Sequence, residues 1–287
     1  MEFLRPATLA EALALKAERP DAVPIAGGTD VMVELNFDHR RPEALLDLTT
    51  VPELAEWSTS DGTVRLGAGV PYSRVIAEVG ESVPALAMAS RTVGSPQIRN
   101  RGTVGGNLGA ASPAGDTHPV LLALDAQVEV TSVRGSRTLR AEEFYVGVKR
   151  HALEPDELIT AIHLPAHAGP QQFAKVGTRN AMVIAVCSFA LALRDGVAGA
   201  AVGSAAPTPR RAREAEEFLN AELPWGSSEP LPDSLKRRFG ELAAEAASPI
   251  DDVRGSAAYR KHALSVLARR TLTWAWDEHR TGERACA

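Results

Sequence analysis

Residues 99–116, RNRGTVGGNLGAASPAGD, form an eighteen-residue segment with almost no side-chain bulk. Such a segment contributes little to a core, because the stabilisation from burial scales with the apolar area removed from water. It is either a string of turns or a place where backbone meets something other than protein. A shorter stretch, PIAGGTD at 24–30, poses the same alternative near the start of the chain. Any fold adopted by this sequence has to accommodate both.

The remainder is ordinary globular material. The chain has 287 residues, 45% hydrophobic and 23% charged, enough for two domains or one large one. A net charge of -5 with no basic tract argues against a nucleic-acid partner. The N-terminal MEFLRPATLAEALAL carries Glu2 and Pro6 and no cleavable apolar region, so it does not read as a signal peptide. The longest apolar run, MVIAVCSFALAL at 182–193, is about half of what a membrane span needs. A cytoplasmic protein without a membrane span is expected. Cys187 lies inside that run and Cys286 next to the C-terminus, a placement that suits neither an iron–sulfur cluster nor a zinc site nor a disulfide.

Local signals give a provisional order of elements. Thr8 and Glu11 make a capping box, after which Leu9, Ala12, Leu13 and Ala17 fall on one helical face. AVPIAGG reads as a short strand running into Gly27 and Gly28; VMVEL after the loop reads either as helix or as strand, and Thr29 or Asp30 would cap a helix there. EALLDL and GTVRLGAGV read as strands, residues 72–92 as helical, PVLLAL as a short helix, and AQVEVTS and ELITAIHLP as strands. Beyond Pro170 the pattern predicts three consecutive strands, QQFAKVGTRN, VIAVCSFALALRDG and VAGAAVGSAA, the last two joined by a turn at Asp195 and Gly196. Helices then follow PTPRR, fill DSLKRRFGELAAEAA and run from about Ser256 to Glu278, where Trp274 and Trp276 are expected to pack on neighbouring elements. Two α+β portions with a boundary near 166–171 are expected.

RLGAGVPY imitates a dinucleotide fingerprint, but Tyr72 stands where the third glycine belongs and Pro71 disturbs the loop, so Gly67 and Gly69 read as a turn. AGGTD is better suited to a ligand. A strand ending in two glycines presents consecutive N–H groups with no side chain in the way, which fits a pyrophosphate. GTVGGN repeats the device with strand-like residues ahead of a glycine pair. Two such loops, with no Walker lysine and no Rossmann spacing, point to a nucleotide cofactor held from two sides, with Asp116 available to accept from hydroxyls. His163 and His167 have i, i+4 spacing, but the intervening Pro165 rules out the helical face a metal pair requires.

PIAGGTD, VGSPQIRNRGTVGGNLGAASPAGDTHPVLLALDA, FAKVGTRNAMVIAV and RGSAAYRKHALSVLARR, in this order and spacing, resemble the FAD-binding medium subunit of molybdenum hydroxylases. That family includes xanthine dehydrogenase, carbon monoxide dehydrogenase and related azaheterocycle or aldehyde oxidoreductases, and the resemblance spans about 1–275. It implies an α+β fold: a two-part FAD-binding domain of the vanillyl-alcohol-oxidase (PCMH) type over 1–168, then a small α+β domain over 169–287 with a three-stranded sheet and helices. It also implies that Ile25, Ala26, Gly27, Gly28, Thr29, Asp30 and Val31 wrap the FAD pyrophosphate. Thr103, Val104, Gly105, Gly106 and Asn107 would form the second wall, with Ser112 and Asp116 near ribityl and phosphate oxygens, and Val93, Ile159 and Lys175 lining the flavin.

Carbon monoxide dehydrogenase has His–Ser where Thr29 and Asp30 stand, which disfavours that substrate, and the cysteine-bearing insertion of the benzoyl-CoA reductase branch is lacking. The resemblance implies a heterotrimer in which a large subunit carries the molybdenum cofactor and a small subunit carries [2Fe-2S] clusters. Non-covalent FAD would pass electrons to an acceptor such as NAD, with no catalytic acid or base and no metal on this chain. A stand-alone FAD-dependent oxidoreductase and an FAD-free scaffold subunit are the alternatives.

Overall fold

The computed structural model describes residues 1–167, 169–194 and 196–282. The turn expected at Asp195, and Cys286, lie outside the described residues.

The chain opens on a three-stranded parallel sheet of β1 (Glu2–Leu4), β2 (Val23–Ile25) and β3 (Ala44–Asp47), in the order β1-β3-β2. The helix Leu9–Glu18 links β1 to β2, and its entry is capped much as the sequence predicts. Thr8 Oγ1 accepts from the Glu11 N–H at 3.2 Å. The Glu11 carboxylate, however, accepts from the Ala7 N–H at 2.7 Å, one residue earlier than a capping box would have it. Ala12 is buried from this helix against Ala22, Leu46, Val51 and Leu54.

A second, antiparallel sheet contains β4 (Trp57–Ser60), β5 (Thr63–Gly67), β6 (Gln127–Ser132) and β7 (Gly135–Arg140). A small hairpin of β8 (Tyr145–Gly147) and β9 (Arg150–His151) precedes β10 (Leu158–Pro165), which inserts between β5 and β6. Period-two alternation sends Val64, Leu66, Val128, Val130, Ile162 and Leu164 to one face, where the helices Pro84–Thr92 and His118–Ala123 complete the core. The register of β10 slips between Ile159 and Ala161, a bulge that re-aims the strand at its Ile159 end.

The C-terminal sheet has four strands rather than three: β11 (Gln171–Val176), β12 (Cys187–Arg194), β13 (Val197–Gly203) and β14 (Arg210–Arg211). The two residues of β14 pair with Ala201 and Val202, a contact too short to leave a periodic signal. Both faces of the sheet are covered, which explains why its strands read as continuous apolar runs. Phe173, Ala190, Ala192 and Ala201 join the core of the preceding sheet. Phe189, Leu191, Leu193 and Val202 pack beneath the helices Arg213–Glu222, Asp233–Glu245 and Ala257–Thr281. Trp276 is buried there and donates to the Glu229 carbonyl at 2.8 Å, whereas Trp274 is 39% exposed. Two residues apart on a helix is a rotation of about 200°, so the pair cannot share one face.

Candidate functional site

A cleft of about 1020 Å³ separates the first sheet from the second. Its lining includes Lys16 and Pro20, from the helix Leu9–Glu18 and the turn that follows it, and Asp116, Val183 and Ile184. The two glycine-rich segments line it as well.

The first follows β2. The Gly27 Cα abuts the Arg101 carbonyl so closely that an added Cβ would overlap it. Gly27 therefore lets two loops 74 residues apart in sequence touch backbone to backbone. Gly28 adopts φ of 74°, a left-handed conformation that favours glycine. None of the N–H groups of residues 27–30 donates to another backbone group among the described residues. Asp30 precedes the helix Val31–Asn36 without capping it through its side chain. Burial, reinforced by Glu34 and opposed by Lys149, raises the Asp30 carboxyl above its ordinary range.

The second segment is not a strand ending in a glycine loop. It is the helix Val104–Ala110, with Thr103 as N-cap and the Thr103 hydroxyl accepting from the Gly106 N–H at 2.8 Å. The N–H that the sequence reading offered to a phosphate is used by the cap, because a threonine three residues before a small residue at a helix start competes for that donor. Gly105 is required by packing, since a Cβ there would overlap Ala68. Gly106 and Gly109 lie three apart on the exposed, cleft-facing side of this helix. The nearest atom to a Cβ at Gly109 would be Ile159 Cδ1, at 3.9 Å. The result is a floor of bare backbone.

Two residues of the cleft lining, Asn107 and Asp116, hold buried polar atoms without partners. Asn107 Oδ1 and Asp116 Oδ1 are buried and accept nothing from the protein. The other oxygen of Asp116 is fully engaged: it accepts from Lys175 Nζ at 2.6 Å and from the Thr92 hydroxyl at 2.9 Å. Burial of Asp116 outweighs the help from Lys175 and Thr92 and lifts its carboxyl above the ordinary value.

Of the residues singled out in the sequence, Ala26, Gly27, Gly28, Thr29, Asp30, Val31, Val93, Thr103, Gly105, Gly106, Asn107, Ser112, Asp116 and Ile159 all line the cleft. Ile25, Val104 and Lys175 stand behind it: the first two are core residues, and Lys175 reaches the site through Asp116. Lys16, Ala68, Gly69 and His151 line the cleft too. Ala68 and Gly69 belong to the RLGAGVPY stretch, whose turn proves to be cleft wall. Cys187 is buried, and its thiol is pushed up to about 12 by that burial. Among the described residues no group of three His, Cys, Asp or Glu side chains could hold a metal ion, and no helix is long and apolar enough to cross a membrane.

The sheets, the glycine-floored cleft and the donor-rich loop define a nucleotide-binding flavoprotein architecture, and comparison with known proteins gives its lineage. Residues 1–167 match the FAD binding domain in molybdopterin dehydrogenase, and residues 172–275 match the CO dehydrogenase flavoprotein C-terminal domain. The nicotine 6-hydroxylase medium subunit of Paenarthrobacter nicotinovorans is 34% identical over 278 residues, covering 95% of this chain and 96% of that protein. The putative xanthine dehydrogenase FAD-binding subunit of Escherichia coli K12 is 32% identical, covering 94% of each. A structure of carbon monoxide dehydrogenase from Hydrogenophaga pseudoflava superposes with a TM-score of 0.89 at 28% identity, covering 96% of this chain and 97% of its counterpart. The chain belongs to the FAD-binding medium subunits of the molybdenum hydroxylase family of oxidoreductases.

The cleft suits FAD on its own chemistry. Free N–H groups at 27–30 match a dianionic pyrophosphate, the unpartnered oxygens of Asn107 and Asp116 match hydroxyl and imide donors, and the bare helix floor leaves room for a flat ring.

Proposed function

We propose that this chain is the electron-exit subunit of a three-subunit molybdenum hydroxylase. Its partners are a large subunit carrying the molybdenum cofactor and a small subunit carrying [2Fe-2S] clusters; its acceptor is a soluble carrier such as NAD. Residues 1–168 would be the flavin domain, 169–287 the C-terminal domain, and the cytoplasm its location. The observation that carries the reading is the pairing, across one cleft, of four free N–H groups at 27–30 with the unpartnered Asp116 carboxylate oxygen.

Bound FAD supplies the conversion between one-electron and two-electron transfer. The protein's part is to bind and orient it. The loop at 27–30 neutralises the pyrophosphate with backbone dipoles. Asn107 and Asp116 accept hydrogen bonds and fix the cofactor's rotation, while Gly106 and Gly109 keep the floor flat. Val93 and Ile159 supply apolar walls, and Ser112 adds a hydroxyl. No acid or base of this chain acts on the organic substrate, which is oxidised on the large subunit.

The test begins with the purified chain. It should show a flavin absorbance spectrum and release all of that flavin on denaturation, because His118, the histidine packed against Gly115 of the second segment, is fully buried and bonded to the Tyr145 hydroxyl at 2.6 Å rather than open to the cleft. Free of molybdenum and iron, it should not oxidise purines or aldehydes; mixed with its partner subunits it should show substrate-driven flavin bleaching. Turnover of such a substrate by the lone chain would replace this reading with a stand-alone flavoenzyme.

A further inference from the structure

We propose that His118 is a positioning residue of the cofactor site: packed behind the cleft lining, it fixes how the turn at 112–116 and the Asn107 amide are held, and so tunes the bound flavin. The inference rests on the FAD reading above and concerns a side chain that acts only through others.

His118 opens the helix His118–Ala123 and is fully buried. Its ring does not line the cleft, but it packs on a residue that does. A Cβ added to Gly115 would fall 2.1 Å from His118 Nε2 and 2.2 Å from its Cδ2. The same point lies 2.7 Å from Asn107 Nδ2. Gly115 therefore leaves space that the imidazole and the Asn107 amide share, and any side chain there would drive them apart. The backbone closes the turn around this contact: the Gly115 N–H donates to the Ser112 carbonyl at 3.0 Å, and the His118 N–H to the Gly115 carbonyl at 3.3 Å.

The other side of the ring is anchored. Nδ1 lies 2.6 Å from the Tyr145 hydroxyl, and the two rings meet edge to face at 4.9 Å between centroids. Tyr145 belongs to β8 and is braced by Phe144, 5.5 Å away. The hairpin of β8 and β9 is in turn fastened to the glycine-rich helix, because the Lys149 N–H donates to the Ala111 carbonyl at 3.2 Å. The imidazole thus bridges hairpin and turn. Burial pushes it down to about 3, with the Ser112 carbonyl opposing, so the ring is neutral around pH 7 and its contacts do not titrate there. Its Nε2 is buried with no hydrogen-bond partner among the described residues. That desolvation cost is one an apolar side chain would avoid, so filling space does not account for a histidine here. What the imidazole adds is a rigid polar plate, tied at one edge to Tyr145 and pressed at the other against Gly115. The atoms it holds in place are the free oxygens of Asn107 and Asp116, two residues of the cleft lining. Hydrogen-bonding groups at fixed places beside a flavin tune its electronics as well as its affinity.

The experiment reloads the flavin-stripped full-length chain with FAD and compares the wild type with His118→Leu, His118→Gln and Tyr145→Phe. At saturating FAD, His118→Leu should shift both the visible absorbance bands and the midpoint potential of the bound flavin. It should also weaken FAD by about tenfold, in line with the net loss of one hydrogen bond. His118→Gln, which keeps a polar end near Gly115, should recover most of the shift. Tyr145→Phe removes only the anchoring hydroxyl and should move bands and potential in the same direction by less; it decides the matter if His118→Leu does not fold. Bands and potential equal to the wild type in the folded variants, whatever their stability, would make His118 a core residue only. A shift that glutamine does not reduce would assign the effect to lost volume; either result overturns the inference while leaving the FAD reading intact. A wild-type chain that binds no FAD removes both.

Discussion

Replacing Lys175 with methionine isolates what the buried pair behind the cleft contributes. Lys175 and Asp116 meet at 2.6 Å with side chains 8% and 7% exposed, and Lys175 also donates to the Thr92 carbonyl at 3.1 Å. In Lys175→Met the carboxylate keeps only the Thr92 hydroxyl, at 2.9 Å, whose single proton the Ala89 carbonyl also accepts at 2.7 Å. Breaking a buried ion pair from one side costs about 3–5 kcal/mol, because the remaining charge stays in a poorly solvating interior. The carboxyl, already held above its ordinary value of 3.8 by burial, would rise further without Lys175. An acid whose folded-state value exceeds its unfolded one holds its proton better when folded. Its contribution to stability is full below the unfolded value and is lost as pH rises through the raised folded one. The deficit of the variant is therefore greatest at neutral pH and shrinks on acidification, by about 1.4 kcal/mol per pH unit below the raised value. Adding Asp116→Asn removes the stranded charge while keeping an acceptor for Thr92, so the double variant should recover to within about 1 kcal/mol of the wild type. Urea unfolding of the flavin-free chain, followed by circular dichroism between about pH 5 and 8, reads both quantities without ligand linkage. A deficit independent of pH, with no recovery in the double variant, would refute the argument that an uncompensated Asp116 charge is the cause.

Two glycine substitutions should separate cofactor space from packing. Gly109→Val adds bulk to the open floor, with nothing nearer than 3.9 Å to its Cβ; helix propensity changes by only about 0.5 kcal/mol, so flavin content should fall at least about tenfold while the unfolding midpoint holds. Retained flavin would remove this helix face from the site. Gly27→Ala should instead lose flavin and about 3 kcal/mol of stability together, because its methyl overlaps the Arg101 carbonyl and forces the two loops apart; an unchanged midpoint in a thermal melt would contradict that account.

The sequence by itself determined what depends on neighbours a few residues apart. Hydrogen-bonding side chains at helix starts, such as Thr8, and the alternation of AQVEVTS act within a turn or along one strand, so they are legible as written. The bulk-poor stretch 99–116 likewise stood out as written, since absence of side chains needs no partner to be seen, and most of it lines the cleft. Local pattern was least informative where one residue type serves several ends. Gly27 and Gly105 read as openings for a phosphate, yet both are demanded by backbone or side-chain contacts, and Thr103 turned a strand-like reading into a capped helix. Tertiary structure alone decided that Lys175 meets Asp116 across 59 positions of sequence and that Arg101 meets Gly27. It also decided that β14 adds a fourth strand and that Lys16 and His151 line the same cleft. Each depends on where crossovers bring distant segments together, and that geometry is set by the packing of whole sheets and helices, which no local period in the chain records.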